Sequence, residues 1–250
     1  GCATMEEIGR AAGAGAVAAI PKVDSPFLRS AGVNLYPNAI SITNTTPYWG
    51  KVMVYGEKVG EIAPGDTIYD NRHWEPLWPE IPVAVMFYTS AEQTTYLGVS
   101  VAIFQYNRSS WGGGDTYSWI IDPGDIIPFA SQRLPLPEEA PRTEARTTRV
   151  RFPREPFNGT TAVQVINNTR WTAHIRANGR EIAVATPGEF LYLRNHLRWY
   201  GSWYGSDEIL LQFIFVDEEK KLVGAEDYRV YVQQNYIRAE QIVLTEDMVR

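Results

Sequence analysis

The chain repeats itself. Seven residues of the first half, Asn44, Thr46, Gly56, Pro64, Gly65, Tyr69 and His73, each meet an identical residue 123 positions further on, at Asn167, Thr169, Gly179, Pro187, Gly188, Tyr192 and His196. No gap is needed across that span, and one fixed offset of this kind is the mark of a duplicated structural unit. Further along, the offset drifts to 126, setting Phe87 on Phe213 and Leu97-Gly98 on Val223-Gly224. It returns to 123 where Trp119-Ile120-Ile121 meets Ile242-Val243-Leu244. Whatever the first half folds into, the second half must fold into as well, so each half needs its own interior.

That interior reads as sheet. Ala39–Thr43, Lys51–Tyr55, Val59–Ala63, Val83–Tyr88, Val99–Tyr106 and Ser118–Ile121 are short alternating or apolar runs separated by Asn, Thr, Pro and Gly. The second half offers Ala162–Ile166, Thr172–Arg176, Glu181–Ala185, Glu208–Val216, Tyr228–Val232 and Gln241–Leu244 in the same order. Tyr55-Gly56 and Asn178-Gly179 occupy hairpin positions, and Asn-Gly is the strongest short hairpin signal. Strands without a βαβ rhythm predict an all-β chain of two tandem β-sandwiches. The likeness is to immunoglobulin-like architecture, without the Cys…Trp…Cys hallmark. With 250 residues, two domains of ordinary size fit, at 33–127 and 158–250.

Between them, residues 128–157 hold prolines at 128, 135, 137, 141, 153 and 156, which predicts a stiff extended spacer. Part of it, around Thr147–Phe152, has the composition of an edge strand. Residues 1–32 begin with an Ala/Gly-rich stretch bearing one weak helical face (Met5, Ile8, Ala12), read as a tether or a short docking helix. A net charge of −6 with scattered Lys and Arg argues against nucleic acid, which selects for concentrated positive surface. No run of about 18 apolar residues is present to cross a bilayer as a helix.

The single cysteine is Cys2, so no internal disulfide can form. Gly1-Cys2-Ala3-Thr4 followed by a loose Ala/Gly stretch resembles the start of a bacterial lipoprotein just past its signal peptide. The resemblance implies that Cys2 is lipidated, that a membrane is reached through that lipid, and that the chain resides in the cell envelope. An outer-membrane anchor with the domains periplasmic or at the surface would follow. The plain alternative is a spare thiol. The resemblance covers only the first few residues.

The most distinctive side chains fall in one loop of each half. His73-Trp74-Glu75-Pro76-Leu77-Trp78 answers His196-Leu197-Arg198-Trp199-Tyr200-Gly201-Ser202-Trp203-Tyr204, each a His with a Trp-x-x-x-Trp spacing. Aromatic faces stack on sugar rings or peptides while polar neighbours orient them, so His73, Trp74, Trp78, His196, Trp199, Trp203 and Tyr204 are candidate binding residues. The structural alternative is that these rings plug the end of each sandwich. The acidic neighbours of the two histidines lack metal-ligand spacing, and no cofactor is expected. No nucleophile elbow, zincin, P-loop or dinucleotide motif occurs, so catalysis is not expected. Asn44, Asn107, Asn158 and Asn167 open Asn-x-Ser/Thr triplets. Two uses remain in view. One is a structural or protein-interaction module working with other envelope or surface proteins, self-assembly into a filament or sheath included. The other is a carbohydrate- or peptide-binding accessory protein using the Trp loops.

Overall fold

The computed structural model describes residues 39–70, 80–105, 116–135, 144–153, 162–193, 206–233 and 239–249. The chain divides into two compact units, with the boundary between Pro156 and Phe157. Among the described residues there is no α-helix, only strands and three short 3-10 turns.

In the first unit the strands are β1 (Ala39–Asn44), β2 (Trp49–Val54), β3 (Glu57–Ile62), β4 (Thr67–Asp70), β5 (Glu80–Tyr88), β6 (Tyr96–Gln105), β7 (Thr116–Ile121), β8 (Ile127–Pro128) and β9 (Thr147–Arg149). They form one sheet of order β7-β1-β4-β9 and another of order β3-β2-β5-β6-β8. The expected continuous apolar run becomes β5, buried along nearly its whole length as a central strand should be. The ring of Phe104 on β6 meets that of Trp119 on β7 at 6.2 Å, edge to face, across the two sheets. The second unit has β10 (Ala162–Asn167), β11 (Thr172–Ala177), β12 (Arg180–Ala185), β13 (Phe190–Tyr192), β14 (Ser206–Val216), β15 (Leu222–Gln233) and β16 (Ala239–Leu244). Its sheets run β13-β10-β16 and β12-β11-β14-β15. Val163, Val165, Ile242 and Leu244 of the first sheet and Ala173, Ile175, Leu211, Phe213 and Phe215 of the second share one buried core. Each unit is an all-β sandwich with its own interior.

The pairings repeat in register. β1 lies antiparallel to β4 with Ile42 opposite Ile68, and β10 antiparallel to β13 with Val165 opposite Leu191. β1 is parallel to β7 from Ala39↔Thr116, and β10 is parallel to β16 from Ala162↔Ala239. Gly50 faces Ile62 where Ala173 faces Ala185. The hairpins at Tyr55-Gly56 (φ 47° and 82°) and Asn178-Gly179 (φ 48° and 83°) both hold two left-handed residues, the type I′ signature.

The alignment needs one correction. Gly50 pairs with Phe87 and Ala173 with Phe215, so Phe87 matches Phe215 and not Phe213. The hairpin that follows is shorter in the second unit, which restores the match of Gly98 to Gly224. The strand order is also its own. The immunoglobulin order puts the first strand in one sheet with the second, fifth and fourth. Here the second strand sits between the third and fifth, and the first pairs with the fourth and seventh.

The proline-rich stretch is not a bare spacer where it is described. Ile127 and Pro128 pair with Val99 and Gly98. Thr147–Arg149 add to β4 in parallel, Val150 N–H donates to Tyr69 O at 2.8 Å, and Phe152 N–H donates to a carboxylate oxygen of Asp70 at 2.7 Å. The Phe152 side chain is fully buried. Tyr48 hydroxyl donates to the carbonyl of Pro135. These contacts strap the segment onto the first unit.

Candidate functional site

Each sandwich has two unlike ends. At one, β1 leads into a buried side-chain network. Asn44 Nδ2 donates to the carbonyls of Tyr48 (2.7 Å), Ile62 (3.2 Å) and Ala63 (3.2 Å), while its Oδ1 accepts from Thr46 N–H (3.0 Å) and Thr46 Oγ1 (2.6 Å). Asn167 does the same: Nδ2 to Trp171 O (2.7 Å) and Ala185 O (2.9 Å), Oδ1 from Thr169 N–H (3.2 Å) and Thr169 Oγ1 (2.7 Å). Gly65 and Gly188, both left-handed, each donate N–H to the carbonyl of that asparagine at 2.7 Å. An asparagine amide can satisfy several crossing backbone groups at once, which is what a corner where three chain segments meet demands. The identities shared by the two halves are therefore structural at Asn44, Thr46 and Gly65 and at their partners. Asn44 and Asn167 are both 0 % exposed, so neither triplet can accept a glycan. Asn107 and Asn158 lie outside the described residues.

The opposite end is where the loops start. In the first unit Asp70 and Glu80 flank residues 71–79, and Gln105 and Thr116 flank 106–115. Ile40 opposite Asp70, Ala39 opposite Thr116 and Glu80 opposite Gln105 place all these roots at one end, beside the Tyr55-Gly56 hairpin. Tyr55 hydroxyl donates to Glu80 O at 2.7 Å and ties that hairpin to the loop root. The second unit roots 194–205 and 234–238 at the matching end: Leu193 N–H donates to Val163 O at 2.9 Å, Ser206 pairs with Gln233, and Leu210 N–H donates to Asn178 Oδ1 at 3.0 Å. Each candidate aromatic segment thus springs from the strand that leaves one sheet and returns on the strand that joins the other. His73, Trp74, Trp78, His196, Trp199, Trp203, Tyr204 and Cys2 themselves lie outside the described residues.

Other features escaped the sequence reading. Asp70 is buried and receives the Phe152 amide, whereas its counterpart Leu193 is part of the apolar core. No repeat pattern marks that difference, because the offset pairs a charge with a hydrocarbon. Gln164 and Gln241 stand opposite each other on β10 and β16, both 0 % exposed, joined by Gln241 Nε2 to Gln164 Oε1 at 3.0 Å. Their remaining donor and acceptor, Gln164 Nε2 and Gln241 Oε1, have no partner among the described residues. The matching pair in the first unit is Ser41 and Ser118, hydroxyl to hydroxyl at 3.3 Å. His174 Nδ1 lies 3.0 Å from Glu181 Oε2 on an open face, a surface pair with no third ligand. Among the described residues no group of three or more His, Cys, Asp or Glu could hold a metal ion.

Fold and geometry define the class: a two-unit β-sandwich protein whose units repeat the same pairings, each closed at one end by an asparagine network, with the strands that flank its aromatic segment ending at the other. No protein-family model matches the chain, and no curated protein matches it.

Proposed function

We propose that this chain is a non-catalytic protein of the bacterial cell envelope, held to the membrane through a lipid on Cys2, whose two sandwiches act as a structural or protein-interaction module. The observation that carries the reading is the division between the ends of each unit. Buried polar groups close one end, and the strands that flank the repeated His-and-Trp segments end at the other, so a partner of those segments would be met on rigid sheet. In-register pairings support an origin of both units in one duplicated β-sandwich ancestor. The Gly1-Cys2-Ala3-Thr4 motif with the Ala/Gly-rich stretch after it supports the anchor.

Mass spectrometry of the amino terminus, on protein made with a secretion signal in a bacterial host, tests the anchor. A diacyl or triacyl Cys2 in the membrane fraction is expected. An unmodified Cys2 in the soluble fraction would remove the envelope setting.

A second reading is that each unit by itself binds a sugar or peptide ligand stacked on its own Trp pair, Trp74 with Trp78 or Trp199 with Trp203, since stacking on flat apolar faces is what such a spacing of aromatics suits. Tryptophan fluorescence titrated with cell-wall glycans and with envelope peptides separates the two, since only this second reading calls for saturable quenching that is lost on Trp→Ala change.

A further inference from the structure

Among the described residues no strand covers the outer edge of β15, and past a bulge at Val223 it runs in unbroken register with β14 from Gly224 to Gln233. In the first unit the equivalent strand β6 is met by β8 at Gly98 and Val99, and Gly98 is needed there: a Cβ on it would lie 2.3 Å from Ile127 O. β15 pairs only with β14 among the described residues, and it is a twelve-residue strand. Proteins blunt an open edge with proline, charged side chains (lysine above all), bulges, a short strand or a covering segment. The sequence of β15, Leu-Val-Gly-Ala-Glu-Asp-Tyr-Arg-Val-Tyr-Val-Gln, holds neither proline nor lysine. Of the five exposed large hydrophobic residues among those described, Leu222 (69 %), Val223 (36 %) and Tyr231 (40 %) lie on it. An apolar concentration on a single edge strand is the usual trace of a docking edge.

The charges on that strand say what docks. Asp227 and Arg229 are both exposed and share a face, two residues apart with Tyr228 between them. We propose that β15 pairs antiparallel with β15 of a second copy, about a two-fold axis at Tyr228, joining two four-stranded sheets into one of eight strands. An antiparallel pair requires partners of the same parity, so that edge-directed amides and carbonyls meet. Of the registers centred on this strand, the one about Tyr228 sets Asp227 opposite Arg229 of the second copy and Arg229 opposite Asp227, two attractive pairs from one symmetric arrangement. Arg229 already touches Glu208 at 2.9 Å on its own sheet, which holds the guanidinium over the strand's exposed face. The sequence is self-complementary at its edge.

This inference deepens the interaction-module reading by naming a second copy of the chain as partner. It fails separately from that reading, since acylation of Cys2 and self-pairing of β15 are measured on different atoms. The test is sedimentation equilibrium of the full chain carrying Cys2→Ser, at loading concentrations up to about 100 µM. Reversible dimerisation is expected. Arg229→Asp places four acidic groups together and should weaken association about tenfold or more. The exchange Asp227→Arg with Arg229→Asp should restore it, which a merely unfolded variant could not do. A chain that stays monomeric at the top concentration overturns the proposal. So does a dimer indifferent to Arg229→Asp, or one that the double exchange fails to rescue.

Discussion

Asn44 and Asn167 concentrate the stability of each corner into one side chain. Replacing Asn167 with Ala strands the Ala185 carbonyl and the Thr169 amide in a buried corner and leaves the Trp171 carbonyl only the Thr169 hydroxyl, 3.2 Å away. Each such buried group costs about 1–3 kcal/mol when left unpaired, so Asn167→Ala should lower stability by about 3 kcal/mol or more. Asn167→Asp should be no gentler at neutral pH, because it sets a carboxylate oxygen against the carbonyls that Nδ2 now serves. Urea unfolding followed by fluorescence reads both, and a loss below about 1 kcal/mol would mean the network is ornamental. Two half-buried tyrosines set an alkaline limit. Burial, and next the Glu240 carboxylate 3.1 Å away, raise the Tyr228 phenol above its ordinary value, and burial followed by Tyr88 raises Tyr96 well above it. In the unfolded chain both titrate near pH 10. Above that pH the unfolded state sheds protons that the folded state keeps, so stability is whole below about pH 10 and falls as pH rises toward the folded values. Tyr228→Phe and Tyr96→Phe should each flatten the decline of the urea midpoint between about pH 10 and 11. Equal slopes in wild type and variants would count against it.

At the scale of elements, the segment between the units does the work of two missing strands. β8 lies on β6, β9 on β4, and Phe152 fills a fully buried site beneath Asp70. A spacer would tolerate truncation there. Phe152→Ala should instead cost about 3–5 kcal/mol in the first unit, measured as a drop in its unfolding midpoint, and should free Thr147–Arg149 to exchange their amide protons quickly. A change within error would show that the segment only rests on the surface. Strands with strong alternation were legible in the sequence to within a few residues, and so were the two hairpins, whose Gly positions leave little choice of turn. β4 and β13 were not read as strands, because four and three residues directly after a Pro-Gly turn are too few to display a period. β15 was recognised only from Tyr228 onward, since Glu226 and Asp227 look like turn chemistry. An edge strand turns such residues outward at little cost.

For the molecule as a whole, the repeat was the most readable property, because it rests on identities and not on propensity. What it could not convey was asymmetry. Asp70 and Leu193 occupy the same place, and only the first can hold the Phe152 amide, so the strap has a hook in one unit alone. The two aromatic segments match each other by spacing, and they lie outside the described residues, which reach only their flanking strands. Their ligand was not legible, since stacking surfaces and packing surfaces draw on the same residue types.

The strap also orders events in time. Synthesis delivers β1 first, yet its parallel partner β7 arrives some 77 residues later, and Phe152 later still. A nascent chain cannot seal the amino-terminal half until residue 152 has cleared the ribosomal tunnel, by which point the second half is already being made. Chains arrested just short of that residue should be cut readily by added protease, and chains arrested well past it should resist.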